Sequence, residues 1–175
     1  VLEPTYQAIK RHLLSAYWPM GTKLEAVKIA DELGVSMTPV RDCLNQLYGE
    51  RLVDFAPGEG FRVPHLSEGD LRDLLNLNLI LLTAALGKRP LRTFEGLPDH
   101  ASYPEKTAVI FQRLAERCEN SALTTCVNSI SDQLHVVRNI DLQLFDDAEA
   151  EIIELAGALK AGSTARALLK GLLPR

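Results

Sequence analysis

The residues best suited to bind another molecule lie in one short stretch, Gly34 to Leu47. Helical spacing places four side chains together on one face of this stretch: Met37, Thr38, Arg41 and Asn45. The guanidinium of Arg41 is a planar fork of N–H donors, which suits a guanine edge or a phosphate. A single arginine on a helix is more often a solvated surface residue, so the interpretation of Arg41 depends on the elements around it.

Those elements are predicted to be a helix, a sharp turn and a second helix. Gly34 can adopt the left-handed conformation that ends the first helix. Ser36 is a favourable N-cap for the second helix, and Pro39 falls in its first turn, where a missing N–H costs nothing. The second helix has one apolar face, formed by Val40, Cys43, Leu44 and Leu47. This layout is typical of a helix-turn-helix that reads DNA, with the second helix as the recognition helix.

The flanking segments predict the rest of a small domain. Helices are expected over residues 5–17 and 25–33, separated by a turn rich in Pro and Gly, and the recognition helix is expected to end near Gly49. Residues 52–55 and 60–63 alternate apolar and polar side chains, and four residues join them. This pattern predicts a short β-hairpin, so residues 1–65 are expected to form a winged helix-turn-helix.

Three ordered segments carry a family resemblance: Pro19-x-Gly21-Thr22-x-Leu24, then Ile29-Ala30-x-x-Leu33-Gly34-Val35-Ser36-x-Thr38-Pro39-Val40-Arg41-Asp42-x-Leu44-x-x-Leu47, then Leu52-Val53 with Gly60-Phe61-x-Val63. They resemble the N-terminal domain of GntR-type bacterial transcriptional regulators. The short spacing from Leu24 to Gly34 and the helical segment after the wing are similar to the FadR-like subgroup. The resemblance covers residues 5–65.

The resemblance implies a set of DNA-contacting positions: Lys28, Ser36, Met37, Thr38, Arg41, Gly58 and Gly60. The start of the recognition helix would enter the major groove, and the glycine-rich wing tip would approach the minor groove or its phosphates. Thr38 and Lys28 are equally compatible with ordinary surface roles. Two departures predict weaker binding or an altered operator: Met37 stands where the family commonly has an arginine, and Glu59 at the wing tip would repel phosphate.

The charge of the chain does not by itself indicate nucleic-acid binding. The formal net charge is −4, and residues 1–65 contain seven basic and eight acidic residues. DNA-binding modules usually carry a basic excess, because neutralising phosphates supplies much of the affinity. The balance argues against tight binding by a monomer. It therefore favours a dimer that doubles the contacts on a palindromic operator.

The residues after the winged helix predict an all-α bundle over 66–175. Amphipathic helices are expected over residues 67–86, 105–119, 121–138, 147–160 and 163–172, with a loop over 87–104. Leucines wrap most of the helix over 67–86, so it is expected to be buried on several sides. The bundle resembles the effector-binding and dimerisation domain of the FadR-like subgroup, which implies a homodimer and a small-metabolite effector, a carboxylate being one candidate.

Many domains of that subgroup hold a metal through an Asp and a His one turn apart and two later histidines. Here His135 fits the first histidine, but Ser131 stands at the Asp position and Gly171 near that of the last ligand. No metal and no other cofactor is therefore expected. His135 is either a core-edge histidine or a polar group in an effector pocket. The residues that could line such a pocket are His135, Arg138, Asn76 and Asn78.

Other classes of protein are less well supported. The chain shows no glycine-rich phosphate loop, no nucleophile–histidine pairing at readable spacing and no metal cluster, so it is not expected to be an enzyme. Its longest apolar run is too short to span a bilayer, and Cys43, Cys118 and Cys126 are expected to be buried thiols in a reducing cytoplasm. The alternative to a DNA-binding regulator is a winged helix that binds protein. The sequence leaves open the effector, the operator and whether transcription is repressed or activated.

Overall fold

The computed structural model describes residues 2–86 and 96–161, which fall into two compact units with their boundary between Ser67 and Glu68. The last predicted helix, over 163–172, lies outside the described residues, as do residues 87–95 of the predicted loop over 87–104. The fold class predicted from the sequence, a winged helix-turn-helix followed by an all-α unit, is confirmed. Within the described ranges, no helix is long and apolar enough to cross a membrane.

The N-terminal unit contains three helices and a three-stranded antiparallel sheet. Its elements are α1 (Leu2–Leu14), β1 (Lys23–Leu24), α2 (Ala26–Leu33), α3 (Met37–Gly49), β2 (Asp54–Ala56) and β3 (Gly60–Arg62). The strand order is β1-β3-β2, so β3 is central. Strand β1 was not predicted, because two residues are too few to show an alternating pattern. It pairs with the hairpin through Lys23 opposite Arg62 and Leu24 opposite Phe61.

The core of this unit forms around α3. The four apolar residues predicted to face inward, Val40, Cys43, Leu44 and Leu47, are all fully buried. Helix α1 packs against them with Ile9 and Leu13, and α2 contributes Ile29. Because the apolar face of α3 is covered by α1 and α2, its polar face must point outward.

The second unit is entirely helical within the described residues. Its elements are α4 (Glu68–Leu86), α5 (Tyr103–Glu116), α6 (Ser121–Gln133), α7 (His135–Leu144) and α8 (Ala148–Lys160). Apolar residues from these helices form its core, including Leu82, Ile110, Leu114, Val127, Leu155 and Leu159. Helix α5 is central, since it packs against α4, α6, α7 and α8.

The helix predicted over 121–138 is divided. Leu134 separates α6 from α7 while keeping right-handed backbone angles (φ −85°, ψ −5°), and α7 then continues to Leu144. The periodicity of the apolar residues is undisturbed across this break, which is why the sequence pattern did not reveal it. Helix α5 begins at Tyr103, earlier than predicted, because Ser102 and Glu105 cap it: the Glu105 carboxylate accepts from the Ser102 backbone N–H at 2.7 Å and from the Ser102 hydroxyl at 2.8 Å.

Two burial predictions are wrong. Helix α4 was expected to be covered on several sides, but Leu75, Leu77 and Ile80 are 46–65% exposed. The described helices that pack against α4 are α5 and α6, and they leave uncovered the side that carries Leu77 and Ile80. Cys43 is buried as expected, whereas Cys118 is only half-buried and Cys126 is exposed on α6.

Truncating Leu44 tests the role of the α3 apolar face. We expect Leu44→Ala to lower the free energy of unfolding by about 2–5 kcal/mol, because a buried leucine loses its transfer free energy and leaves a cavity. The neighbouring exposed Asn45→Ala is the control and should change stability by less than about 0.5 kcal/mol. Chemical denaturation followed by circular dichroism measures both. Equal effects would show that α3 is not held by this face.

Candidate nucleic-acid interface

The turn between α2 and α3 has the geometry that the sequence predicts. Gly34 is left-handed (φ 65°, ψ 34°), and the Val35 N–H donates to the carbonyl of Ala30 at 3.0 Å. This is the hydrogen bond that closes a glycine-terminated helix end. A residue with a Cβ would be strained at this φ, so Gly34 fixes the angle at which the chain enters α3.

Ser36 occupies the N-cap position of α3 with an extended backbone (φ −78°, ψ 163°), as predicted. Its hydroxyl, however, makes no capping hydrogen bond to the first turn of the helix. Ser36 is exposed. The hydroxyl therefore remains available to a molecule that approaches the N-terminal end of α3.

The outward face of α3 carries the predicted contact residues. Thr38 and Arg41 are exposed, and Met37 is 40% exposed. No ion pair or hydrogen bond involves the Arg41 guanidinium among the described residues of either unit. Asn45, one turn further on, donates to the Arg41 carbonyl at 2.9 Å and is thereby occupied within the helix. Arg41 is thus a freely presented cation at the start of α3.

Lys28 and the wing flank this face with charges that are already paired. Lys28, in the first turn of α2, donates to Glu25 at 2.6 Å. In the wing, the Arg62 guanidinium is paired with Glu59. Gly58 and Gly60 both have left-handed backbones (φ 83° and 87°) that produce the turn between β2 and β3.

A partly buried hydrogen-bonded cluster holds α1 against the C-terminal end of α3. The Tyr6 hydroxyl donates to the Glu50 carboxylate at 2.6 Å, and Lys10 lies 3.5 Å from the same group. Burial, and then the hydrogen bond to Glu50, raises the pKa of Tyr6 to about 12. Sequence reasoning missed this cluster because Tyr6 and Glu50 are 44 positions apart and belong to no readable motif.

In the helical unit, Arg138 on α7 is an unusual buried cation. It is only 6% exposed, and no carboxylate of the described residues lies within ion-pair distance of it. Its guanidinium donates to the Ser131 carbonyl at 3.4 Å and lies 5.1 Å from the centre of the Phe111 ring. Burial lowers the pKa of Arg138 to about 10.

The other predicted effector residues divide into two groups. His135 is the first residue of α7, one turn before Arg138. Its ring is half-buried, and this burial lowers the pKa of His135. Ser131 is 2% exposed, and its hydroxyl has no hydrogen-bond partner. On α4, Asn78 is buried and its side-chain oxygen also lacks a partner, whereas Asn76 is exposed.

In the part of the chain that the structure describes, no three His, Cys, Asp or Glu side chains converge as metal ligands would.

Residues 3–63 match the family described as bacterial regulatory proteins, gntR family. One curated relative is an uncharacterized HTH-type transcriptional regulator in the TAR-I ttuE-ttuC′ intergenic region of Agrobacterium vitis, 29% identical over 47% of this chain and 48% of its own length. Another is the HTH-type transcriptional repressor GlaR of Escherichia coli, 26% identical over 47% of this chain and 40% of its own length. The alignments thus span about half the length of these relatives or less.

Two solved structures share the fold over almost the whole chain. A GntR protein from Rhodococcus sp. RHA1 superimposes with a TM-score of 0.73 at 21% identity, covering 97% of this chain and 91% of its own. Escherichia coli McbR/YncC superimposes with a TM-score of 0.63 at 18% identity, covering 98% and 92%. Residues 3–63 thus match the gntR family of bacterial regulatory proteins, and the likeness to these two solved structures shows the fold alone. This family consists of transcriptional regulators and not of enzymes, as predicted.

Removing the Tyr6 hydroxyl tests the cluster that holds α1 to α3. The raised pKa of Tyr6 means that the folded state favours the neutral phenol. The contribution of the hydroxyl to the free energy of unfolding is therefore present below pH 10 and is lost as the pH rises through about 12. We expect wild type to be more stable than Tyr6→Phe by about 1 kcal/mol at pH 7. This difference should shrink between pH 10 and pH 12.

Urea unfolding at a series of pH values measures the difference. The control is Tyr48→Phe, at an exposed tyrosine, which should leave the stability at neutral pH unchanged. A Tyr6→Phe variant as stable as wild type at pH 7 would show that the hydrogen bond to Glu50 does not hold α1 in place.

Proposed function

We propose that this chain is a ligand-responsive transcriptional regulator that binds a palindromic DNA operator as a homodimer. The observation that carries the proposal is the exposed N-terminal end of α3, where Arg41 is presented without an ion-pair partner among the described residues. A planar guanidinium at the start of such a helix matches the edge of a guanine in the major groove. The family match over residues 3–63 supports the same role.

The remaining contacts have distinct parts in this proposal. Thr38 and Ser36 would donate their hydroxyls to bases or phosphates beside Arg41, and Met37 would make apolar contact, for example with a thymine methyl group. Gly58 and Gly60 would allow the backbone of the wing to approach the adjacent groove. Lys28 would contact a phosphate only after it separates from Glu25.

Dimerisation through the helical unit would offset the acidic charge of each DNA-binding unit by presenting two of them to one operator. The uncovered side of α4 is a candidate interface, because Leu77 and Ile80, one turn apart, expose apolar surface there. Helices that bury such a stripe against a second copy are common in homodimers. Half-sites about one duplex turn apart would match this two-fold arrangement.

The effector would be a small anionic metabolite, such as a carboxylate, that binds at Arg138. A buried arginine without a carboxylate partner is costly unless another anion neutralises it. The unpartnered hydroxyl of Ser131 and the ring of His135 lie in the same part of α6 and α7. Asn78 is a further candidate through its unpartnered oxygen, while exposed Asn76 is not part of the set that we propose.

Effector binding would shift the population between two dimer geometries, of which one matches the spacing of the operator. The effector must then bind the two geometries with different affinities, because an effector that bound both equally would leave their populations unchanged. We place this regulation in the cytoplasm, where both the metabolite and the DNA are available.

A second candidate function is protein binding by the winged helix. Tyr48 and Phe55 are 50% and 45% exposed, and together with Phe61 their rings form a contact series with centroids 6.2 and 4.9 Å apart. Exposed aromatic clusters are enriched at protein interfaces. Partner binding that is insensitive to salt, together with no selective DNA binding, would favour this alternative.

The Arg41→Ala variant tests the DNA-binding proposal. On duplexes from the region upstream of its own gene, we expect selective binding by wild type at a stoichiometry of two chains per operator. Arg41→Ala should weaken that binding about tenfold to a hundredfold, because a bidentate arginine–guanine contact is lost. Fluorescence anisotropy at two salt concentrations measures the affinity.

The matched control is Arg11→Ala, which makes the same charge change at an exposed position on α1. It should change the affinity by less than about threefold, since only distant electrostatics are altered. Equal losses in the two variants would show that Arg41 acts only as a charge. No selective binding by wild type, even at low salt, would overturn the proposed function.

The Arg138→Met variant tests the effector site. Methionine keeps much of the side-chain volume and removes a buried, unpaired charge, so the variant should be at least as stable as wild type. We expect small carboxylates to raise the melting temperature of wild type and to leave that of Arg138→Met unchanged.

Arg113→Met, at an exposed arginine of α5, is the control and should keep the response to ligand. Isothermal titration calorimetry with each carboxylate that raises the melting temperature gives the affinity. Equal responses of wild type and Arg138→Met would place the effector elsewhere in the chain.

A further inference from the structure

The proposed reading face of α3 is its outward face, which carries Met37, Thr38 and Arg41. The basic side chains around it differ in whether they are paired with a carboxylate. Arg41 has no ion-pair partner among the described residues, but Lys28 and Arg62 each pair with a carboxylate three positions away. The two carboxylates, Glu25 and Glu59, belong to the two elements that flank α3 in the winged helix, namely the start of α2 and the wing.

The pair at the start of α2 is close but open to solvent. Lys28 lies 2.6 Å from Glu25, and the two side chains are 76% and 44% exposed. The hydrogen bond from Lys28 lowers the pKa of Glu25, so this carboxylate is ionised at neutral pH. Exposed pairs of this kind contribute little to folding stability. The pair is therefore easily exchanged for another partner of Lys28.

The pair in the wing lies on a strand whose neighbours are also charged. Arg62 on β3 is opposite Lys23 on β1 and Asp54 on β2, and cross-strand neighbours share one face of a sheet. Glu59 at the tip of the hairpin is 67% exposed and pairs with Arg62. The outer face of the wing thus has two cations and two carboxylates in place of a basic patch.

We propose that Glu25 and Glu59 act as built-in competitors of DNA phosphate, each holding a cation that the operator must take over. This inference rests on the proposed function and deepens it, because it assigns these carboxylates the role of setting affinity. On binding, Lys28 and Arg62 exchange a carboxylate for a phosphate, and each freed carboxylate is left facing the DNA backbone. Both effects weaken binding without altering which bases are read.

This arrangement leaves recognition to the contacts that read sequence. Phosphate contacts raise the affinity for all DNA, whereas contacts to base edges distinguish one site from another. Removing either carboxylate should therefore tighten binding to operator and to unrelated duplex by the same factor. The exchange also reduces net counterion release, so the dependence of affinity on salt should be shallow in wild type.

The test compares Glu25→Gln, Glu59→Gln and the double variant with wild type on operator and on a scrambled duplex. We expect each single change to tighten binding to both duplexes about two- to fivefold at 0.1 M salt, and the double change to tighten it about tenfold. The slope of log affinity against log salt should steepen by about one for each carboxylate removed. Thermal melting checks that the variants fold.

The control is Glu116→Gln, which removes the partner of Arg113 in a comparable exposed pair of α5, 2.9 Å apart. It should change neither affinity nor salt slope. Unchanged or weaker DNA binding by the Glu25 and Glu59 variants, with wild type still binding selectively, would overturn this inference alone. A wild type and variants that all fail to bind any duplex selectively would overturn the proposed function, and this inference with it.

Discussion

The burial of one apolar face of α3 is the constraint on which the rest of the N-terminal unit depends. Val40, Cys43, Leu44 and Leu47 are fully buried, and α1 and α2 cover them. Once this face is fixed inward, the helical repeat carries Thr38 and Arg41 outward. The turn at Gly34 sets where α3 starts. The geometry of the proposed reading face therefore follows from packing, and needs no contact made by the reading residues themselves.

Local signals in the sequence predicted much of this unit. Gly34, Ser36 and the spacing of the apolar residues are properties of a few neighbouring positions, and the structure has them where the sequence placed them. The capping box of Ser102 and Glu105 was equally local and could have given the correct start of α5. Strand β1 was missed because it exists only through its pairing with β3.

Features that depend on contacts between distant residues were not predictable. The hydrogen bond from Tyr6 to Glu50 is settled by packing, which no spacing rule encodes. The same is true of Arg138, which has no carboxylate within ion-pair distance among the described residues. The exposed side of α4 was misjudged because its leucines occur all round the helix, while neighbouring helices cover only one side. Arg138 was predicted from the sequence as a candidate effector-binding residue. The structure adds that its side chain is buried with no carboxylate within ion-pair distance among the described residues, which favours an anion as its ligand.

Whether α3 reads a DNA sequence can be measured by selection from a pool of randomised duplexes. Repeated capture by the purified wild-type chain, followed by sequencing, would show which bases are retained. We expect enrichment of one inverted repeat, with half-sites about one duplex turn apart and a guanine at the position that Arg41 contacts. A pool that remains random after repeated capture at low salt would contradict it.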